Sequence, residues 1–366
     1  MKYLLLFLLP LTTLAHFSKP QLVARFMFDD AWNVPNNLWC FGGEPVAVES
    51  KVFLNCMDAE GALVASWGKK GFELITRSEE EHLFSKPQIS FGKASWYEFS
   101  EFSAIRSFKM SHQLETVEIK NLGPMSSAND SFHPLTTDSF FFKSKGENPR
   151  LWSWKNNEIT LLFNSKVAYI FTPQIGPNGE IAFKTRENNL DESAPDRLWI
   201  YNGVWRVILE DRNANPNSPW VSFRHQLSID QDKVVVIAND GQKNSLLLIQ
   251  NDSVKIIATE GVELSRFDFF TPKILGGTIV VRGEDFNGQK AVYVKDEKVF
   301  RKLISQGDIV KTDRGDARVH YEQKDAIFYG APGLDLNGNI YLQATLTDPD
   351  YPKTLMGVGL IRFLNE

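Results

Sequence analysis

The sequence predicts an all-β fold: a single β-propeller of seven blades, each of four antiparallel strands, closed by the N-terminal strand. Three observations carry this. A unit of short apolar strands and Pro/Asn/Gly turns recurs along 366 residues. One small-residue column appears seven times, about 48 residues apart. No stretch shows the 3.6-residue apolar period of an amphipathic helix.

The clearest copy opens at Pro173-Gln174-Ile175. A Pro-Asn-Gly turn and the strand Ile181-Ala182-Phe183-Lys184 follow. Arg197 to Tyr201 and Val204 to Leu209 then flank Asn202-Gly203. Asn-Gly between apolar strands is a strong hairpin signal, because both turn residues must accept positive φ. Other openings are Pro45-Val46, Pro87-Gln88-Ile89, Pro134-Leu135, His225-Gln226-Leu227, Pro272-Lys273-Ile274 and Pro332-Gly333-Leu334. An aromatic residue precedes each one: Phe41, Phe84, Phe132, Phe171, Phe223, Phe270 and Tyr329. The second strands pass through Leu54, Ile105, Phe142, Phe183, Val236, Val281 and Leu342. Two residues on lie the small Cys56, Ser107, Ser144, Thr185, Ala238, Gly283 and Ala344. Such a column predicts close packing against a neighbouring blade. The copies are weakest over 88–135, which leaves six or eight blades open.

The last unit lacks a fourth strand, and residues 21–28 supply a candidate. The segment after them, Asp29 to Phe41, echoes Glu210 to Phe223, which trails a fourth strand. An N-terminal strand completing the last blade would leave no open edge there.

Residues 1–15 read as an export signal: Lys2, the apolar run Leu4 to Leu9, and a small residue at Ala15. Residues 16–366 would then form the propeller. The expected location is the periplasm or the exterior of a bacterial cell. Cys40 and Cys56 are the only cysteines, and in an oxidising compartment they are expected to pair. No later apolar run is long enough to span a bilayer.

Composition is globular, with 43% hydrophobic and 23% charged residues, and 27 Phe and 9 Trp supply an aromatic core. The net charge of -5 offers no basic excess for phosphate, so no nucleic-acid partner is expected. A monomer is expected.

The run Pro332-Gly333-Leu334-Asp335-Leu336-Asn337-Gly338-Asn339-Ile340-Tyr341-Leu342 resembles NHL-type propeller repeats and the related repeats of exported bacterial proteins. The resemblance implies a ring with binding at a channel mouth, and it implies no one chemistry.

Candidate binding residues follow from position. Gln88, Gln174, Gln226 and Lys273 occupy one place in four openings and would face the channel, as would Asp335. Trp220, Phe267, Phe269 and Tyr321 lie in long loops leading into blades and are candidate exposed anchors. Asn55, Arg106, Lys143, Lys184, Arg282 and Gln343 form a polar column, interrupted by Ile237; its basic members could recognise a ligand carboxylate, and pairing with the acidic loops is the expected reading. No metal site or cofactor is expected. The acidic loops, with Asp58, Asp191, Asp240, Asp285 and Asp348 among them, would suit Ca²⁺ best of the ions. No nucleophile elbow, P-loop or paired-histidine motif occurs, and no catalytic residue is assigned. The function expected is non-catalytic: a binding or scaffold module recognising an envelope protein or glycan. The alternative is a propeller hydrolase, lactonase-like or glycoside-active.

Overall fold

The computed structural model describes residues 17–27, 30–40, 44–48, 50–78, 82–84, 87–90, 93–100, 103–110, 113–118, 132–136, 139–143, 150–155, 158–164, 169–188, 190–296, 299–320 and 327–366. Among them every regular element is a strand, and the strands form seven sheets. The first comprises Val46–Val48, Lys51–Asp58, Gly61–Gly68 and Gly71–Arg77. In the second, His82–Phe84 and Gln88–Ser90 share the partner Lys93–Ser100, followed by Ser103–Met110 and Gln113–Glu118. The third comprises Phe132–Thr136, Ser139–Lys143, Leu151–Lys155 and Glu158–Phe163. In the fourth, Tyr169–Ile170 and Gln174–Ile175 share Ile181–Arg186, with Asp196–Tyr201 and Trp205–Glu210 outside. The fifth comprises Ser222–Asp230, Lys233–Asn239, Asn244–Gln250 and Ser253–Thr259. In the sixth, Arg266–Phe267 and Lys273–Leu275 share Thr278–Glu284, with Lys290–Lys295 and Phe300–Ser305 outside.

The seventh sheet joins the two ends of the chain. Phe328–Leu334, Ile340–Thr347 and Leu355–Phe363 run antiparallel, and Gln21–Phe26 then lies against Leu355–Phe363. The sequence places this strand over 21–28. Its far edge pairs in parallel with Ile309–Thr312, which forms a hairpin with Gly315–Val319. That hairpin returns to Ile340–Thr347, so five strands close into a small barrel. Four strands were expected here. The alternating run Ile309 to Val319, with its Asp-Arg-Gly turn, accounts for the longest interval in the repeat.

The innermost strands touch in cyclic order. Val46–Val48 meets Gln88–Ser90, then Phe132–Thr136, Gln174–Ile175, Ser222–Asp230, Lys273–Leu275 and Phe328–Leu334, which meets Val46–Val48 again. This is a propeller-type arrangement. Apolar residues sit between successive sheets: Leu227, Val234 and Val236 pack with Ala182, Leu198 and Ile200, and Val235 and Ile237 pack with Ile274, Ile279 and Val281.

At Gly283 the small column has a steric cause, but the close approach comes from within its own sheet and not from a neighbouring blade. A Cβ on Gly283 would lie 2.7 Å from the carbonyl oxygen of Arg266, on the paired inner strand. The expected alignment fails in one sheet. Ile105, Arg106 and Ser107 lie in the third strand of the second sheet, because its second strand is Lys93–Ser100. The hairpin at Asn202-Gly203 forms, but only Gly203 takes positive φ (98°), so the expectation for both turn residues fails there; both residues of the turn Asn251-Asp252 do so (47° and 64°).

Candidate functional site

Chain direction defines two faces. Segments leading into each innermost strand emerge on the same side as the connections between second and third strands. We name this the upper face. Most of the predicted site residues were placed on or near it.

The polar column turns out to fasten sheets together. Asn55 Nδ2 donates to the carbonyl of Phe84 at 3.0 Å, and Lys143 Nζ donates to that of Ile170 at 3.0 Å. Lys184 Nζ donates to Phe223 at 2.6 Å, Arg282 Nη1 to Gly330 at 2.5 Å and Gln343 Nε2 to Cys40 at 2.6 Å. Each acceptor belongs to the innermost strand of the next sheet round the ring or to the segment leading into it. Ile237 has no donor, and there Arg224, from the innermost strand of the same sheet, donates to the carbonyls of Asp268 and Phe267. A long donor at this position satisfies a backbone oxygen that its own sheet cannot reach. Two of the basic members, Lys184 and Arg282, also pair with the carboxylates of Asp196 and Asp268, a pairing of the kind expected for them, while the bonds to neighbouring carbonyls were not foreseen.

Around the fourth sheet the fastening is charged and buried. Lys184 and Asp196 are 2% and 1% exposed, with Nζ 2.6 Å from Oδ2, and Arg186 Nε lies 2.7 Å from Oδ1. Burial pushes the Lys184 ammonium pKa down, with Asp196 opposing. The Phe171 ring lies 4.8 Å from Lys184 Nζ and stacks on His225 at 5.3 Å. Partial burial, then the charges of Lys184 and Arg186, hold the His225 pKa down.

The individually predicted residues separate. Gln174 Nε2 donates to the carbonyl of Pro173 at 3.0 Å, and Gln226 is half-buried on its inner strand. Gln88 pairs with Ser95 on an inner strand. Lys273 forms an ion pair with Glu44 at 3.0 Å. Asp335 is fully buried and accepts the backbone N–H of Asn337 and Asn339, the Asn339 amide and the Tyr341 hydroxyl. It folds the turn after the innermost strand and faces no channel, contrary to expectation. Trp220 and Phe267 are 6% and 3% exposed and belong to the core, so neither is a surface anchor. Phe269 is 66% exposed and stacks on Phe270 at 4.3 Å. Tyr321 lies outside the described residues.

The acidic loops fold themselves. Asp191 accepts from Ser193, Asp240 from Gln242 and Lys243, Asp285 from Asn287 and Gln289, and Asp348 from Asp350 and Tyr351. Asp58 is held by both Arg77 nitrogens. Among the described residues no three His, Cys, Asp or Glu side chains are grouped to hold a metal ion.

The upper face has a feature that sequence reasoning reached only at Phe269. Among the described residues the strongly exposed aromatic side chains are Trp32, Trp39, Phe269, Phe286 and Tyr351. Trp32, Trp39, Phe286 and Tyr351 lie in connections on this face, and Phe269 lies in the break between Arg266–Phe267 and Lys273–Leu275 on the inner edge of the sixth sheet. All five also fall within one arc, from the sixth sheet through the seventh to the first. The signal available in sequence was position in the repeat unit, since each lies before an opening or between second and third strands.

The Cys40–Cys56 disulfide lies at the same arc, tying the segment before the first sheet to that sheet's second strand. No helix among the described residues is long and apolar enough to cross a membrane.

No family model matches the chain, and no curated protein sequence does. Solved structures resemble it in fold. An oligogalacturonate lyase in complex with manganese superposes with a TM-score of 0.59 at 8% identity, covering 96% of this chain and 98% of the lyase. The acylaminoacyl peptidase of Pyrococcus horikoshii gives 0.53 at 10% identity, covering 84% of this chain and 49% of that one. A prolyl endopeptidase gives 0.52 at 10% identity, covering 89% and 50%. The chain thus spans about half the length of these two peptidases. At such identities the likeness is one of fold alone.

Proposed function

We propose that this chain is an exported seven-bladed β-propeller that acts without catalysis, binding an envelope protein or glycan on its upper face. The seven sheets would be the blades. The observation that carries the reading is the grouping, among the described residues, of the exposed Trp32, Trp39, Phe269, Phe286 and Tyr351 in one arc of the ring. Scattered exposed apolar side chains are ordinary, but large rings gathered on one side mark a contact surface. Aromatic residues give contact area at little conformational cost, and a ring already stacked, as Phe269 is on Phe270, costs less still.

Two further observations support binding over hydrolysis. The upper-face carboxylates Asp58, Asp240, Asp285 and Asp348 are engaged by their own turns or by arginine. The basic column is spent on neighbouring carbonyls. Export is supported by the disulfide, which persists in oxidising compartments.

The test is retention of envelope proteins and of a cell-wall glycan panel on immobilised protein. A component should be held by the parent and lost by Phe269→Ala and Tyr351→Ala, with melting temperature unchanged. Retention indifferent to both substitutions would remove the upper face from the argument. Turnover of a glycan or lactone would replace binding by catalysis.

A further inference from the structure

The outermost strand of the fifth sheet, Ser253–Thr259, is open along its edge. Among the described residues no strand pairs with its outer side. Its sequence, Ser-Val-Lys-Ile-Ile-Ala-Thr, is rich in β-branched residues and holds no proline. Val254 and Ile256 are 38% and 54% exposed, whereas among the described residues the outermost strands of the first and third sheets each expose one large apolar side chain, Leu74 and Leu161.

The backbone is directed outward at the same two residues. Asn251-Asp252 is a two-residue turn, so Gln250 and Ser253, which close it, exchange their hydrogen bonds. The ladder alternates, and Val254 and Ile256 therefore turn their N–H and C=O groups away from Asn244–Gln250. Side chains alternate as well. Val254 and Ile256 stand opposite Ile249 and Leu247, on the face that packs toward the fourth sheet. Ser253 and Lys255 point to the other face, where a cavity of about 390 Å³ is lined by Leu248, Gln250, Asn251, Ser253 and Lys255. Lys255 makes no ion pair among the described residues. The acids of the adjoining turns are committed, Asp232 to Gln250 at 3.2 Å and Asp252 to Arg206 of the fourth sheet at 2.5 Å.

We propose that Ser253–Thr259 is a docking edge for an extended segment of a partner protein, which adds a strand to the fifth sheet, sets a carboxylate beside Lys255 in the cavity and covers Val254 and Ile256 with apolar side chains. In an antiparallel partner the acid stands opposite Lys255, and its two sequence neighbours stand opposite Val254 and Ile256. Backbone bonds hold such a segment, and the alternating side chains select it. Charge decides against a second copy of this chain. Ser253–Thr259 carries one charge, Lys255, and no acid. Glu260, the next residue, already accepts from Asn244 and from the Phe267 N–H. A copy laid against the strand thus brings no carboxylate into the cavity, and lysine on lysine is repulsive. The turn Asn251-Asp252 joins third and fourth strands, so this surface lies on the outer rim, at the end away from the upper face, and does not depend on the reading of that face.

The experiment is titration of the whole protein into a fluorescently labelled pentapeptide, read by anisotropy. The peptide has glutamate at its centre, valine on either side and threonine at each end. Saturable binding is expected. Glutamine at the centre should weaken it about two- to fivefold, the range for a partly exposed ion pair. Lysine at the centre should weaken it further, and methylation of both valine backbone nitrogens should abolish it. In Lys255→Glu the order should reverse, with the lysine-centred peptide bound most tightly. Absence of saturable binding, binding that survives N-methylation, or an order unchanged in Lys255→Glu would each overturn the proposal. Should Lys255→Glu fold poorly, the glutamine and N-methyl peptides decide the matter on the parent alone. Self-association of the parent that competes with the peptide and is lost in Val254→Lys would assign the edge to a second copy and overturn the proposal too.

Discussion

Lys184 Nζ lies 2.6 Å from the carbonyl oxygen of Phe223, and this bond couples the fourth sheet to the fifth at a point where no strand ladder joins them. Its equivalents at Asn55, Lys143, Arg282 and Gln343 do the same elsewhere in the ring. Lys184→Met should therefore weaken the junction rather than its own sheet. It strands the Phe223 oxygen and leaves Asp196 with Arg186 alone. A loss of about 2–4 kcal/mol is expected, seen as a lower urea midpoint. A loss below about 0.5 kcal/mol, ordinary for a surface substitution, would show that the bond fastens nothing.

Arg224 makes the same point where the column has an apolar residue. Ile237 is buried against Leu246 and Ile279, so a donor cannot stand there without entering the core. Arg224 supplies the bond from the innermost strand and reaches the Asp268 carbonyl. Arg224→Met is expected to cost about 1.5–3 kcal/mol, the range for a hydrogen bond to a charged group. Ile237→Val, which removes one methylene from the core, should cost about 0.5–1.5 kcal/mol. Equal and negligible effects in urea melts would show that Arg224 has not replaced the column.

These two residues also show what the sequence could and could not disclose. Strand periodicity and turn chemistry are local, so the repeated sheets were readable, and so was the need for a small residue at Gly283, although the strand that presses on it belongs to its own sheet and not to the neighbouring blade. The polar column was visible too, but its role was not. A lysine that fastens two sheets and a lysine that awaits a ligand look alike until the acceptor, 39 residues away at Phe223, is brought beside it. Trp220 misled for the opposite reason: it sits in a long loop, yet the loop folds back and buries it. Asp335 was read as facing a channel because its strand is innermost, whereas Asp-x-Asn-Gly is a turn that consumes its own carboxylate. The Glu44–Lys273 pair was beyond reach, since it joins residues 229 apart through the closure of the ring.

Ring closure can be tested at Gly333. A Cβ there would lie 2.1 Å from the carbonyl oxygen of Pro45, in the segment leading into the first sheet. Backbone must move to admit it, and there is no flexible side chain to yield. Gly333→Ala should cost about 1–3 kcal/mol or more and lower the melting temperature. An unchanged melting temperature would mean that the seventh and first sheets do not press together at this point.

The disulfide and the Gln343 bond hold the same segment by different means. Cys40 is bonded to Cys56 through sulfur and accepts from Gln343 through its carbonyl. Reduction should lower stability by about 3 kcal/mol, the value for a loop of this length, yet leave a folded protein. Gln343→Ala should become much more damaging in the reduced state than in the oxidised one, because either link alone positions the segment. Strict additivity of the two losses, measured by urea titration with and without reductant, would show that they act independently.

Arg25 fixes the N-terminal strand, and its partner makes that attachment dependent on pH. The guanidinium is 1% exposed, donating to both oxygens of Asp313 at 2.9 and 2.7 Å and to the carbonyls of Asp30 and Met356. Asp313 sits in the turn of the hairpin that closes the small barrel, so the pair ties the strand to one neighbour and the bond to Met356 ties it to the other. The Arg25 hydrogen bonds hold the Asp313 carboxyl below its ordinary pKa of 3.8. A group with a depressed native pKa contributes stability that is complete above its unfolded value and is lost as pH falls through the native one. Asp313→Asn should thus cost about 2–4 kcal/mol at pH 7, where Arg25 keeps only Asp30 at 3.4 Å as a charged partner. The penalty should shrink between about pH 4 and pH 2, where the parent also loses the carboxylate. Other carboxylates, including Asp58, titrate over the same window, so the informative quantity is the difference between parent and variant. Urea titrations at pH 7, 4 and 2.5 measure it, and a difference that stays constant with pH would show that Asp313 is not the acid-sensitive link. Removal of residues 16–30 should go further and abolish the cooperative melt, because it leaves the facing edges of Ile309–Thr312 and Leu355–Phe363 without the strand between them.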